Sequence, residues 1–543
     1  MRVSQRVLAI LLLLVVASCG GGKKGDTTTA GGDGAGGGGG PGGGAGAEGQ
    51  QALPEIPAQP AAMPASVLAT FSMGDPKGQL AELSAYVDAM QPGMGAMIGA
   101  NFLPSLAGMV GAPGLDGYDL AKPLHILILD PKKGGGEVLL VMGVADQQKL
   151  AGSVGGGAMV QIHDGFAAIG KGPSLVAASP YALSNLAKSK TPAHPVAVFH
   201  MNKIMDSYGN EVRQQLAGSM GSSQTPAEQK AAEAMVKALS SVERIEGALQ
   251  ANAQTATVSF AVVPMANSTL AQWGTMQKAS DFSVAGRLPN AAWLMVGAGN
   301  IELGPMASFW GDIAAAQGNP AVGQVFASFG QEMAIGLWVK EKAVRIAGLA
   351  AVKQGADKTL GAFLTDYASK MAKDPKAMDS MEVTAKPNAY KTGGASLHEI
   401  TVKPGKATDP ASAKEFTATF GKGGIKSYFG LAGSWVVFAL DKAAAAKGLA
   451  AKVVAGSKAK APKSSLSKIF NDAIADSKQR KESGVIAIDL TQTAKDPKQA
   501  KGAIVTLGLG WEGPVLRARM TIPPATGRFM MQQMGGGMAP MGP

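Results

Sequence analysis

The sequence predicts an α+β fold made of two repeated units of antiparallel sheet with packed helices. Three observations lead there. Short apolar strands follow one another across tight turns, as where Asp164-Gly165 separates Ala158–His163 from Phe166–Ile169, and such turns join antiparallel neighbours. Amphipathic helical stretches lie between the strand groups instead of alternating one for one with them. A series of segments also recurs in the same order in the two halves of the chain.

In chain order, Arg2 and Arg6 precede the apolar run Val7 to Val16, too short to span a bilayer but suited to a signal peptide. Val16-Ala17-Ser18-Cys19 follows and resembles the bacterial lipobox. The resemblance implies cleavage before Cys19, whose sulfur then carries a diacylglycerol and whose new amine an acyl chain of the palmitate kind. At about 0.8 kcal/mol per buried methylene, several such chains make a lasting anchor. It also implies that Gly20, where the enteric inner-membrane signal has Asp, directs the protein to the outer membrane, on its periplasmic face or at the cell surface. Cys19 is the one cysteine of the 543 residues. Disulfides, Cys-rich metal sites and cysteine catalysis are therefore excluded for the body.

Seventeen of the 31 residues from Gly20 to Gln50 are Gly, and Leu53-Pro54-Glu55-Ile56-Pro57 follows. Few side chains there offset the entropy of ordering, so residues 19–61 read as a lipidated Cys and a disordered tether. Its flexible reach is about 35–40 Å.

Beyond the tether, Leu80, Leu83, Val87 and Met90 share one face of a helix over Leu80–Met90. Strands are expected at Leu124–Leu129, Val138–Val144, Ala158–His163, Phe166–Ile169 and Thr255–Val263. Thr225-Pro226-Ala227-Glu228 is a capping box ahead of Met235, Leu239 and Val242. Asp357 caps a helix with Leu360, Phe363, Leu364, Tyr367 and Met371 as its buried stripe.

Met63 to Leu68 answers Leu288 to Trp293, and each precedes a helix, the second over Met306–Ala316. Val138–Val154 parallels Val344–Leu364, and Pro195–His200 parallels Gly484–Asp489. Gly165–Ala187 parallels Gly430–Ala451, with Ser174-Leu175-Val176 set against Ser434-Trp435-Val436. Each half closes on a long hairpin, Glu246–Pro264 and Gly502–Pro523. The chain thus divides into a signal peptide (1–18), the tether (19–61), a first α+β repeat (62–280), a second (281–527) and a disordered Met/Gly/Pro tail (528–543). The order of these segments resembles a duplicated bacterial envelope family of unknown function, which implies no activity.

The chain carries +11 overall, yet from Gln331 onward its net charge is +14. Lysines crowd Lys442 to Lys481 and read as a solvated face, with attraction to anionic headgroups as the alternative. Export and sparse aromatics argue against nucleic acid.

No catalytic constellation, metal site or cofactor motif emerges. Gly165 to Gly172 nearly spells a phosphate-binding loop, but Gly172 lacks the hydroxyl for Mg²⁺ and a strand is expected to follow. Lys391-Thr392-Gly393, Ser465 to Lys468 and Ser457 to Lys460 resemble fragments of the penicillin-binding signature in the wrong order. His194 and His200 flank a strand roughly 20 Å apart, too far to share a metal, and His125, His163 and His398 stand alone. Asp75, Asp116 and Asp119 sit in Gly/Pro-rich loops, where carboxylates hold backbone donors. Met530, Met531, Met534, Met538 and Met541 read as a biased tail, and Met90, Met94 and Met97 as core or groove lining. The expected protein is non-enzymatic: a lipid-anchored envelope module that binds or scaffolds, its partners the membrane and a lipid or an envelope protein. Carriage of an apolar ligand in a groove is the first alternative and an envelope hydrolase without recognisable motif the second.

Overall fold

A computed structural model describes residues 53–534 except 135, 221–225, 308–310, 312–321, 341–342, 374–380, 407, 460–465, 495–497 and 499. The expected signal peptide, Cys19, most of the expected tether, Thr225, most of the expected helix over Met306–Ala316, Lys460, Ser465, Met538 and Met541 lie outside the described residues. The architecture is α+β, with every sheet pairing of the described strands antiparallel within two compact units.

The first unit runs to Pro195 and resumes at Gly527. Its strands are β1 (Val67–Met73), β2 (Leu124–Leu129), β3 (Val138–Gly143), β4 (Met159–His163) and β5 (Phe166–Gly170), in the order β1-β2-β3-β5-β4. Its helices are α1 (Pro76–Met90), α2 (Gly95–Val110), α3 (Gln147–Ser153) and α4 (Gly172–Ser184). Asp75 starts α1 by accepting from the Gly78 amide at 3.0 Å, with Pro76 at the first helical position. One sheet face, with Val67, Leu127, Leu129, Leu139, Val141 and Ala168, packs on Leu175, Ala178 and Ala182 of α4. Burying a leucine such as Leu175 contributes roughly 2 kcal/mol.

Unit two covers Val196–Thr526. Its strands are β6 (Val196–Phe199), β7 (Val242–Asn252), β8 (Thr255–Pro264), β9 (Met295–Asn300), β10 (Phe329–Lys340), β11 (Ala343–Val352), β12 (Met381–Thr392), β13 (Ala395–Pro404), β14 (Ile425–Ala432), β15 (Trp435–Lys442), β16 (Gly484–Asp489), β17 (Ile504–Glu512) and β18 (Val515–Ile522). They form one sheet in the order β6-β7-β8-β18-β17-β16-β9-β10-β11-β15-β14-β13-β12. The helices are α5 (Met201–Met220), α6 (Pro226–Ser240), α7 (Thr269–Met276), α8 (Val322–Ser328), α9 (Asp357–Lys373), α10 (Pro410–Phe420), α11 (Ala443–Lys458) and α12 (Lys468–Gln479), and the chain closes on α13 (Pro524–Met534). Trp293, Trp338, Tyr428, Val437 and Phe470 build this unit's core with Leu449 and Val453 of α11. Arg287 ends α11: its guanidinium donates to the carbonyls of Ser457 at 3.0 Å and Ala459 at 2.6 Å and stacks on the Trp435 ring at 4.8 Å.

The repetition is visible in the pairing order. The β1-β2-β3-β5-β4 order of the first unit recurs as β9-β10-β11-β15-β14, and β6-β7-β8 recurs as β16-β17-β18. The second copy has one added hairpin, β12–β13, between α9 and β14.

The two strand sets lie on either side of 280/281, β1 to β8 before it and β9 to β18 after it, while the compact units part at Pro195/Val196. Other expectations need correction. The last tether residues are docked: Leu53 and Ile56 pack on the first core, and the Pro54 carbonyl accepts from Gln161 Nε2 at 2.7 Å. Prolines stiffen that segment, so the two apolar anchors order it cheaply. The tail from 528 begins inside α13, which Pro524 starts and where Phe529 is buried. Ser174-Leu175-Val176 opens a helix while Trp435-Val436 opens a strand, so the true counterpart of Trp435 is Phe166 at the head of β5. On α9, Leu360 is buried but Tyr367 is exposed, resting edge-on against Phe429 at 6.3 Å.

Candidate binding cleft

The seam between the repeated strand sets is the pairing of β8 with β18, and it carries a cleft of about 610 Å³. Directly opposed residues share a sheet face. One such row is Glu246, Ala261, Arg517 and Gly510 across β7, β8, β18 and β17. The next row is Ala248, Ser259, Arg519 and Gly508, with Val196 of β6 opposite Ala248. Small side chains therefore floor the cleft, with charged ones along it.

The turn Arg480-Lys481-Glu482, which leaves α12, lies over this floor. A β-carbon on Gly508 would stand 2.1 Å from a Glu482 carboxylate oxygen, so the glycine is what admits that side chain. Glu482 accepts from Arg519 Nε at 3.1 Å, and Arg519 Nη2 donates to Asp476 at 2.7 Å. Arg519 also donates to Thr521 Oγ1 at 2.9 Å. The pair is nearly dry, at 14% and 10% side-chain exposure. Its charge is thus committed to holding the turn on the sheet. Arg517 pairs with Glu512 at 2.6 Å and Arg480 with Asp476 at 3.0 Å, both in solvent. Trp511 of β17, which also lines the cleft, meets Trp273 of α7 edge-to-face at 4.8 Å.

A second polar cluster lies on β13–β15. Glu399 accepts from Lys426 Nζ at 2.6 Å, from the Tyr428 hydroxyl at 2.5 Å and from Thr401 Oγ1 at 3.2 Å. Burial raises the Glu399 carboxyl, but the bonds from Lys426 and Tyr428 outweigh it and hold the group below its ordinary value. Burial, then the Glu399 bond, pushes the Tyr428 hydroxyl up. Arg345 lies 2.8 Å from Asp441 in the same region, also largely buried. The Glu399 carboxylate is thus taken up by its own neighbours, which makes this a structural network.

The residues singled out in the sequence are scattered. His125 is buried on β2, with Nδ1 2.8 Å from the Ser72 hydroxyl, and burial lowers it to about 4. His163 lies 3.3 Å from Asp164 at the β4–β5 turn. His398 accepts from the Asn388 amide at 3.3 Å. Asp75 caps α1 and Asp119 accepts from the Ala121 amide at 3.1 Å. Lys391-Thr392-Gly393 is the end of β12 and its turn, with Gly393 at φ 51°. Ser457 is buried on α11, bonded to the Val454 carbonyl at 2.8 Å. After β5 the chain enters helix α4 and not another strand, with Lys171 as the whole connection, which leaves no loop to cradle a phosphate. Met90 is buried and Met97 exposed. Among the described residues, no three His, Cys, Asp or Glu side chains gather as metal ligands would. No described helix is long and apolar enough to cross a membrane.

The cleft itself was not foreseen. Its residues come from five strands and a turn, and only the β8–β18 pairing of segments far apart in sequence assembles them.

No family model, no curated protein and no solved structure matches this chain.

Proposed function

We propose that this chain is a lipid-anchored cell-envelope protein of the bacterial outer membrane whose duplicated α+β body is a non-enzymatic binding module. The cleft on β7, β8, β18 and β17 is its contact site. Cys19 is the lipid attachment point, by resemblance of Val16-Ala17-Ser18-Cys19 to the lipobox. The observation that carries the binding role is the committed charge of the cleft. Arg519, Glu482 and Asp476 hold a turn in place above a floor of Ala248, Ser259, Ala261 and Gly510, leaving an open, preformed space.

Mass spectrometry of organic extracts tests this. The full chain is purified in detergent beside an Ala248→Trp variant, which fills the floor and whose melting curve shows whether it folds. The reading expects a near-stoichiometric small molecule in the wild type that the folded variant lacks. Identical extracts would contradict a ligand in the cleft and move the role to a scaffold for envelope proteins. Ile335, Val339 and Val344, exposed apolar side chains on β10 and β11, favour that second reading.

A further inference from the structure

The turn over the cleft contains a residue in a backbone conformation its type disfavours. Lys481 has φ 57°, in the left-handed region. It follows the C-terminus of α12, with its amide donating to the Lys478 carbonyl at 3.0 Å and the Glu482 amide to the Ser477 carbonyl at 3.0 Å. This helix ending ordinarily takes glycine, and a side chain there costs about 1 kcal/mol. The chain uses glycine freely for the purpose: sixteen described glycines have positive φ against five other residues. Asp164, Asn267 and Asn388 are types that tolerate the conformation. Phe282 is buried in the core, where its ring offsets the strain. Lys481 is exposed, so packing offsets nothing.

The charges of the cleft point to what the lysine is for. Arg480 pairs with Asp476, Arg517 with Glu512, Arg519 with Glu482, and Glu246 with Arg244 at 2.7 Å. Among the described residues Lys481 has no carboxylate within ion-pair distance. Every other charged side chain of the lining thus has an opposite charge within ion-pair distance, and the ammonium of Lys481 at the turn has none, above a floor of small side chains.

We infer that the cleft takes an amphipathic monoanion, an aliphatic body ended by a single anionic group, with Lys481 as the ion-pair partner of that group. The inference rests on reading the cleft as a ligand site. Strain at an exposed lysine is retained because glycine would relax the backbone and lose the charge.

Isothermal titration of the detergent-solubilised full chain with octanoate, and with octan-1-ol as the neutral comparator, tests it, each corrected for detergent alone. Octanoate is expected to bind the wild type, at least tenfold more weakly to Lys481→Gly, and as in the wild type to Lys481→Arg. Octan-1-ol should not distinguish the three. Lys481→Gly should melt no lower than the wild type, since glycine relieves the turn. Equal octanoate affinity in wild type and Lys481→Gly, with loss in Ala248→Trp, would overturn the inference and leave the cleft as a site. Binding that survives both variants would overturn the inference and the cleft reading together. Absence of octanoate binding to the wild type, or a lower melting temperature for Lys481→Gly, would overturn the inference alone.

Discussion

The carboxylate of Glu482 occupies the space that a β-carbon on Gly508 would fill, and from there it meets the guanidinium of Arg519. A missing side chain on β17 and a charged one on β18 thus cooperate to fix the turn above the cleft. Adding one methyl at 508 forces the carboxylate off its partner. Gly508→Ala should destabilise the second unit by about 1–3 kcal/mol, read as a lower urea midpoint. An unchanged midpoint would mean the turn is held by other contacts.

Removing Arg519 strands the buried Glu482, whereas removing Glu482 leaves Arg519 its Asp476 partner. Arg519→Met should cost roughly 3 kcal/mol and Glu482→Gln less, with the double substitution costing less than their sum. A double-mutant cycle in urea measures the coupling. Additive losses would show that Arg519 and Glu482 act independently.

His125 makes the first unit sensitive to acid. Burial lowers its folded pKa to about 4, while the unfolded chain takes up the proton near 6.5. The unfolded state therefore binds more protons between these values, and stability falls as pH drops from about 6.5 to 4. At pH 5 the loss is about 2 kcal/mol relative to pH 7.5. Urea midpoints at the two pH values should differ more in the wild type than in His125→Leu. An equal difference would remove His125 as the cause.

Arg287 holds the C-terminal carbonyls of α11 and lies on Trp435. Arg287→Ala should cost about 1–3 kcal/mol by leaving those acceptors without their donor. Arg287→Lys should recover only part, because an ammonium does not stack and fork as a guanidinium does. Thermal melts of the three chains rank them.

Much of this fold was legible, and the places where it was not have physical causes. β2, β3, β4, β5 and the two closing hairpins announce themselves through apolar runs and turn residues such as Asp164-Gly165. α2 does not, because Gly95, Gly99 and Gly108 are poor helix formers and Pro104 lies inside it, so tertiary packing of Leu106 and Val110 decides. The β12–β13 hairpin hides behind a register shift between Lys386 and Tyr390, where Asn388 has positive φ and alternation breaks. The cleft hides more deeply. Gly508, Glu482 and Arg519 are unremarkable in sequence, and their roles follow only from strand register.

Native mass spectrometry of the mature full chain bears most directly on the account, since one spectrum reports both anchor and cargo. The account predicts a polypeptide beginning at Cys19 with added acyl mass, plus a non-covalent mass that the folded Ala248→Trp variant lacks. A chain beginning elsewhere without acyl mass, or the same bound mass in both proteins, would contradict it.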